Sequence, residues 1–210
     1  MPRQKALNAS LRLTLVIGSG DAAPRSLPDI VVPAFKGGVT ALQLREKNLP
    51  DREFHEEALA LKSLCAEFGK LFIVNNRLDI ALAADADGVH LGGSDLPVHA
   101  AARLLPKNKL IGFSAGSREE GEEALAQGAD YLGVGALYPS PSKPEAGLLD
   151  AETVASIVSL KRPAVGIGGI TRENAPQAWA RGFTGLALIS AFTQADDPEE
   201  LARALLSGCI

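Results

Sequence analysis

Short apolar runs rich in Val, Ile and Leu alternate along the whole chain with longer stretches in which apolar residues return every three or four positions. The first pattern is that of buried strands, the second that of helices with one buried stripe. Strands are expected over residues 11–17, 40–44, 71–74, 88–91, 110–113, 131–137, 164–167 and 185–189. Helices are expected over 27–36, 51–68, 78–86, 97–105, 118–127, 151–160, 172–180 and 198–206. The helix over 51–68 has the plainest stripe: Phe54, Ala58, Leu61, Leu64 and Phe68 share one face, while Glu53, Glu56, Glu57 and Lys62 cover the other. Asp150 and Thr171 stand where N-caps belong, and Gly69, Gly128, Gly182 and Gly208 where helices stop. The segment 18–24, rich in Gly, Ser and Ala, is expected to be a mobile loop.

Eight strands alternating with eight helices predict an α/β fold closed into a (β/α)8 barrel of the TIM type, although periodicity alone does not show closure. The 210 residues make one domain, 1–210, short for such a barrel and therefore tight in its loops. With 46% hydrophobic residues the chain can bury one large core. A formal net charge of −4 supplies no basic field for a polyanion, so nucleic acid is not an expected partner. No run is long and apolar enough to span a membrane, and the start MPRQKALNAS lacks the apolar core of a secretory signal. Cys65 and Cys209 lack metal-ligand spacing and read as thiols of a reducing compartment, the cytoplasm. The sequence leaves open whether the chain forms a homo-oligomer.

In a barrel of this kind, function gathers on the loops after the strands, and the polar clusters fall there. In VTALQLREK, residues 39–47, strand alternation would send Gln43, Arg45 and Lys47 to one side, an amide, a guanidinium and an ammonium suited to a phosphate or diphosphate. Ser140, Pro141, Ser142 and Lys143 form a second hydroxyl and basic cluster after the strand over 131–137. The glycines of VGIGGI, with GLALISAF one unit later, offer Gly169, Ile189 and Ser190 as backbone donors to a second phosphate. Asn75, Asn76 and Asp95, each just past a strand, offer oxygen ligands to a hard cation such as Mg²⁺, although Asn and Asp are also ordinary turn residues. Ser114 either donates to an anion or ends its strand. A lone His90 inside a strand reads as a packed, hydrogen-bonded residue, and His55 and His99 as residues of helix surfaces.

Taken in order and at their spacings, QLREK, NNRLDIALAADADGVHLGGSD, IGFS, YPSPSK, VGIGGI and LISA resemble the thiamine-phosphate synthase family, a likeness running from about Val39 to Phe192. The resemblance implies a transferase of thiamine biosynthesis that condenses hydroxymethylpyrimidine diphosphate with a thiazole phosphate and releases diphosphate. It implies that Gln43, Arg45, Lys47, Asn75, Ser114 and Lys143 hold the pyrimidine diphosphate, with Arg45, Lys47, Ser114 and Lys143 as the catalytic set. It implies a thiazole phosphate site of Ser140, Pro141, Ser142, Gly169, Ile189 and Ser190, and Mg²⁺ at Asn76 and Asp95. Three positions depart from the family's pattern: Asn76 replaces an Asp, Gly93 stands where a Gln is common after HLG, and Ala115-Gly116 follow IGFS where a His is common. Asn76 predicts weaker metal binding and leaves a non-catalytic phosphate-binding paralogue as the rival reading. Gly116 argues against the related thiazole tautomerase, whose proton transfer relies on that His.

Overall fold

The computed structural model describes residues 2–140 and 147–208. Eight parallel strands occur in it: β1 Leu13–Ile17, β2 Ala41–Leu44, β3 Leu71–Asn75, β4 Gly88–Leu91, β5 Leu110–Ala115, β6 Tyr131–Val134, β7 Ala164–Ile167 and β8 Gly185–Leu188. Each pairs with the next, and β8 pairs with β1 through Leu13 with Leu186 and Leu15 with Leu188, so the barrel is closed. The helices are α1 Pro2–Ser10, α2 Ser19–Ala22, α3 Leu27–Gly37, α4 Asp51–Phe68, α5 Leu78–Ala83, α6 Val98–Leu104, α7 Arg118–Gln127, α8 Ala151–Val158, α9 Ala175–Ala180, α10 Ser190–Thr193 and α11 Pro198–Ser207. The alternation predicted from hydrophobic spacing is the alternation observed.

Two apolar clusters follow from strand pleating. The larger lies between strands and helices, where Leu15, Leu42, Val74 and Leu188 meet Phe54, Ala58 and Leu61 of α4 and their counterparts on other helices. The smaller fills the lower barrel with Leu11, Val16, Ile73, Tyr131, Val165 and Ala187, and Leu7 of α1 packs against it from below. Strand register places Ala41, Gly88, Gly112, Gly133, Gly185 and Ala187 on the same inward face. Of these, Gly133 and Ala187 line the open space above, whereas the spaces at Gly88, Gly112 and Gly185 are taken up by Leu110, by Tyr131 with His90, and by the Leu11 backbone.

Several local expectations change. Residues 2–10, which lack helical hydrophobic periodicity, form α1 because Leu7 and the following Leu11 gain burial at the barrel floor. The segment 18–24 contains the short helix α2 rather than a loop throughout, and the Ser19 N–H donates to a Glu46 carboxylate oxygen. The strand expected over 131–137 ends at Val134, because the N–H groups of Leu137 and Tyr138 donate instead to Ile167 at the end of β7 and to Gly168 just past it. Thr171 does not cap α9: Asn174 stands at the N-cap and its side-chain oxygen accepts from the Thr171 N–H, so the helix begins at Ala175. Asp150 does cap α8, accepting from the Thr153 N–H at 2.7 Å.

Leu11 is 1% exposed and closes the interior cluster. Leu11→Ala should therefore destabilise the protein by about 2–5 kcal/mol. Urea unfolding measures it, and a midpoint unchanged from wild type would mean that Leu11 does not seal the barrel floor.

Candidate active site

At the C-terminal ends of the strands the hollow barrel opens into a cavity of about 330 Å³. Gln43, Arg45, Asn75, Asn76, Asp95, Ser114, Ser140 and Ile189 all line it, so residues from distant loops meet in one place as expected. Gly169 and Ser190 line a small recess beside it, which shares Ser140 and Ile189 with the main cavity. Pro141, Ser142 and Lys143 lie outside the described residues. Lys47 stands apart from the main cavity. Because β2 ends at Leu44, strand alternation does not carry as far as Lys47, which is exposed and lines an adjoining open groove with Gly18, Ser19 and Asp21. Arg45 borders both spaces.

Arg45 is held by its backbone, whose N–H donates to Ile17 at 2.9 Å, and its Nη1 is enclosed without a hydrogen-bond partner. An enclosed, unpaired guanidinium nitrogen is costly, and the residue that carries it borders the space in which an anionic acceptor would sit. Beside it, Glu46 accepts from Ser19 and contacts Glu57 of α4. Burial first, and then the hydrogen bond and charge of nearby Glu46, push the Glu57 carboxyl up to about 8, so Glu57 keeps its proton at neutral pH.

His90 is buried and hydrogen-bonded, as its sequence context predicts, but it also forms part of the cavity wall. Its Nδ1 lies 3.0 Å from the Tyr131 hydroxyl and its Nε2 3.0 Å from Ser114 Oγ. Burial pulls the imidazole down to about 4 and raises the Tyr131 phenol above its ordinary value. Both groups are therefore neutral near pH 7. Gly112 makes the contact feasible: a Cβ there would lie 2.4 Å from both the Tyr131 oxygen and His90 Nδ1. Tyr131 and Thr14 are wall residues that sequence reading passes over. The signal for Thr14 is a lone hydroxyl in the apolar strand LTLVI, and its Oγ1 is enclosed and unpaired.

In the recess, Gly169 has φ +64, and a Cβ there would lie 2.3 Å from the Pro139 carbonyl oxygen, so the loop requires glycine. Asn174 Nδ2 donates to the Gly169 carbonyl at 2.9 Å and fixes the turn. Asn76 also takes a positive φ, +65, while its N–H donates to the His90 carbonyl. Asp95 Oδ2 accepts from the Gly92 N–H at 2.6 Å. One carboxylate and one amide oxygen facing an anion-sized cavity are hard donors, and they fit Mg²⁺, which keeps several waters and takes one or two protein ligands beside substrate phosphates. Among the described residues no group of three or more His, Cys, Asp or Glu could hold a metal ion by itself.

The family model for thiamine monophosphate synthase matches residues 13–192. The chain belongs to the thiamine monophosphate synthase family. It is 46% identical to the thiamine-phosphate synthase of Chlorobium luteolum over 91% of this chain and 90% of that one. It is 45% identical to the thiamine-phosphate synthase of Moorella thermoacetica over 92% and 91%. Among solved structures, thiamine phosphate pyrophosphorylase from Pyrococcus furiosus superposes with a TM-score of 0.88 at 39% identity, covering 97% of each chain. The family match takes in every strand of the barrel and each cavity-lining loop named above.

The Glu46–Glu57 pair sets a pH dependence of stability. Glu57 moves from an ordinary value of 4.5 to about 8 on folding, so the folded protein holds the extra proton and stability falls as pH rises between them. Glu57→Gln keeps a neutral side chain, so its melting temperature should gain on wild type from pH about 5 to about 9. A gap that stays constant across that range would mean that Glu57 is ionised in the folded protein.

Proposed function

We infer that the chain is a thiamine-phosphate synthase, joining hydroxymethylpyrimidine diphosphate to a thiazole phosphate with release of diphosphate. The observation that carries this reading, beside family membership, is that Arg45, whose Nη1 has no hydrogen-bond partner, lines one cavity with Gln43, Asn75 and Ser114. In the reaction the bond from the exocyclic methylene to the diphosphate oxygen breaks, its electron pair leaving with diphosphate. The thiazole nitrogen lone pair then forms the new C–N bond. The aminopyrimidine ring stabilises the intervening cation, so little acid or base is needed, in keeping with a wall whose histidine is neutral.

The work assigned to the protein is charge neutralisation and positioning. Gln43, Arg45, Asn75 and Ser114, joined by Lys47 and Lys143, take the pyrimidine diphosphate. Ser140, Pro141, Ser142, Gly169, Ile189 and Ser190 take the thiazole phosphate. The recess at Gly169 adjoins the Arg45 cavity through Ser140 and Ile189, which supports two anions held side by side. Asn76 and Asp95 would hold Mg²⁺, which when bound offsets charge on the diphosphate. The substrates are small phosphorylated molecules, and the proposed compartment is the cytoplasm, where the buried, unpaired Cys65 stays reduced.

The direct test incubates the protein with both substrates and Mg²⁺ and detects thiamine phosphate by fluorescence after oxidation. Product is expected; binding of one substrate without product would favour the non-catalytic paralogue. Arg45→Ala should lower kcat/KM at least about tenfold, equivalent to ~1.4 kcal/mol. An unchanged kcat/KM would remove Arg45 from the diphosphate site. Asn76→Asp should lower the Mg²⁺ concentration for half-maximal rate, because a second anionic oxygen attracts a hard cation more strongly. An identical metal titration would make Asn76 a turn residue.

A further inference from the structure

The three polar groups Tyr131, His90 and Ser114 form a chain across adjacent strands β6, β4 and β5, and the direction of its protons is determined by which groups have somewhere to donate. A neutral imidazole carries one N–H, so either Nδ1 or Nε2 is the acceptor. If Nδ1 carried the proton, the Tyr131 oxygen would have to accept it, and the phenolic proton would need another acceptor. Tyr131 is 2% exposed and its side-chain hydrogen bond is the one to His90. That arrangement buries an unmet donor. With the proton on Nε2 every member is satisfied: the phenol donates to Nδ1, and Nε2–H donates to Ser114 Oγ. Ser114 has then received its hydrogen bond from the wall, and its own proton is left to point into the cavity it lines.

We propose that Tyr131 and His90 are positioning residues that act through Ser114, fixing its hydroxyl as a donor to an anionic oxygen bound in the cavity. The proposal rests on the assignment of Ser114 to the diphosphate of the proposed reaction. It extends that assignment by naming what orients the hydroxyl. The chain is neutral throughout, so it directs a hydrogen bond without adding charge to the site or relaying a proton. Gly112 belongs to the same device, since any side chain there would occupy the Tyr131–His90 contact.

The tautomer is readable without turnover. In ¹⁵N-labelled protein at neutral pH, long-range ¹H–¹⁵N correlation of the imidazole rings reports which nitrogen is protonated. Only three histidines are present, and His55→Gln and His99→Gln assign the His90 signals by elimination. The expected result is a protonated Nε2 and an unprotonated Nδ1. A protonated Nδ1 in the wild type overturns the proposal. Tyr131→Phe removes the donor to Nδ1 and should shift His90 towards the other tautomer, with kcat lowered about tenfold. The double variant Tyr131→Phe/Ser114→Ala should be no slower than Ser114→Ala alone, since Tyr131 acts only through that hydroxyl. Fully additive losses in the double variant, or a tautomer unmoved in Tyr131→Phe, would make Tyr131 merely structural. If the wild type has the expected tautomer yet makes no thiamine phosphate, the functional reading fails and the hydrogen-bond chain stands. An active enzyme with the opposite tautomer removes the hydrogen-bond chain and leaves the functional reading in place.

Discussion

Pairing of β8 with β1 is the constraint on which everything else depends. Closure leaves no exposed sheet edge and sends the C-terminal end of every strand to a single rim. Loops separated by more than a hundred residues, such as those holding Arg45 and Ile189, then border one cavity. The cavity itself depends on side-chain volume. Leu11 and Ile73 pack the barrel floor, whereas Gly133 and Ala187 line the opening above it. A barrel with bulky residues at those inward positions would be a filled core with no room for a substrate.

Enclosure also sets the electrostatics. A buried imidazole loses hydration that its charged form needs, so His90 is neutral and contributes a hydrogen bond instead of a charge. The charged side chains among the described cavity-lining residues are Arg45 and Asp95. Glu57, which contacts Arg45's chain neighbour Glu46, holds its proton at neutral pH and so adds no negative charge to these surroundings. The result is a site whose cation is left available to an anionic ligand in surroundings that screen it weakly.

Much of the site was legible because barrels place function after strands, and the ends of predicted strands locate Gln43, Asn75, Ser114 and Gly169 without coordinates. Lys47 lies beside the main cavity and not in it for a local reason: alternation is a property of extended backbone, and the backbone leaves the strand after Leu44. The helix at residues 2–10 was invisible because its burial depends on a floor that exists only once the barrel closes. Tyr131 could not be singled out in YLGV, since an aromatic residue in a strand is ordinary core until its neighbour across the interior is known.

Hydrophobic period and turn residues by themselves determined the alternation of strands and helices and the order of elements, because these follow from local geometry repeated along the chain, whereas closure and the single rim came from the β8–β1 pairing. The ordered motifs determined the family. Tertiary structure alone decided which polar groups are partnered: that His90 bridges Tyr131 and Ser114, that Arg45 Nη1 is enclosed without a partner, and that Glu57 meets Glu46. Hydrogen-bond satisfaction and desolvation depend on distances of a few ångströms between residues far apart in the chain, and no spacing along one strand or helix encodes them.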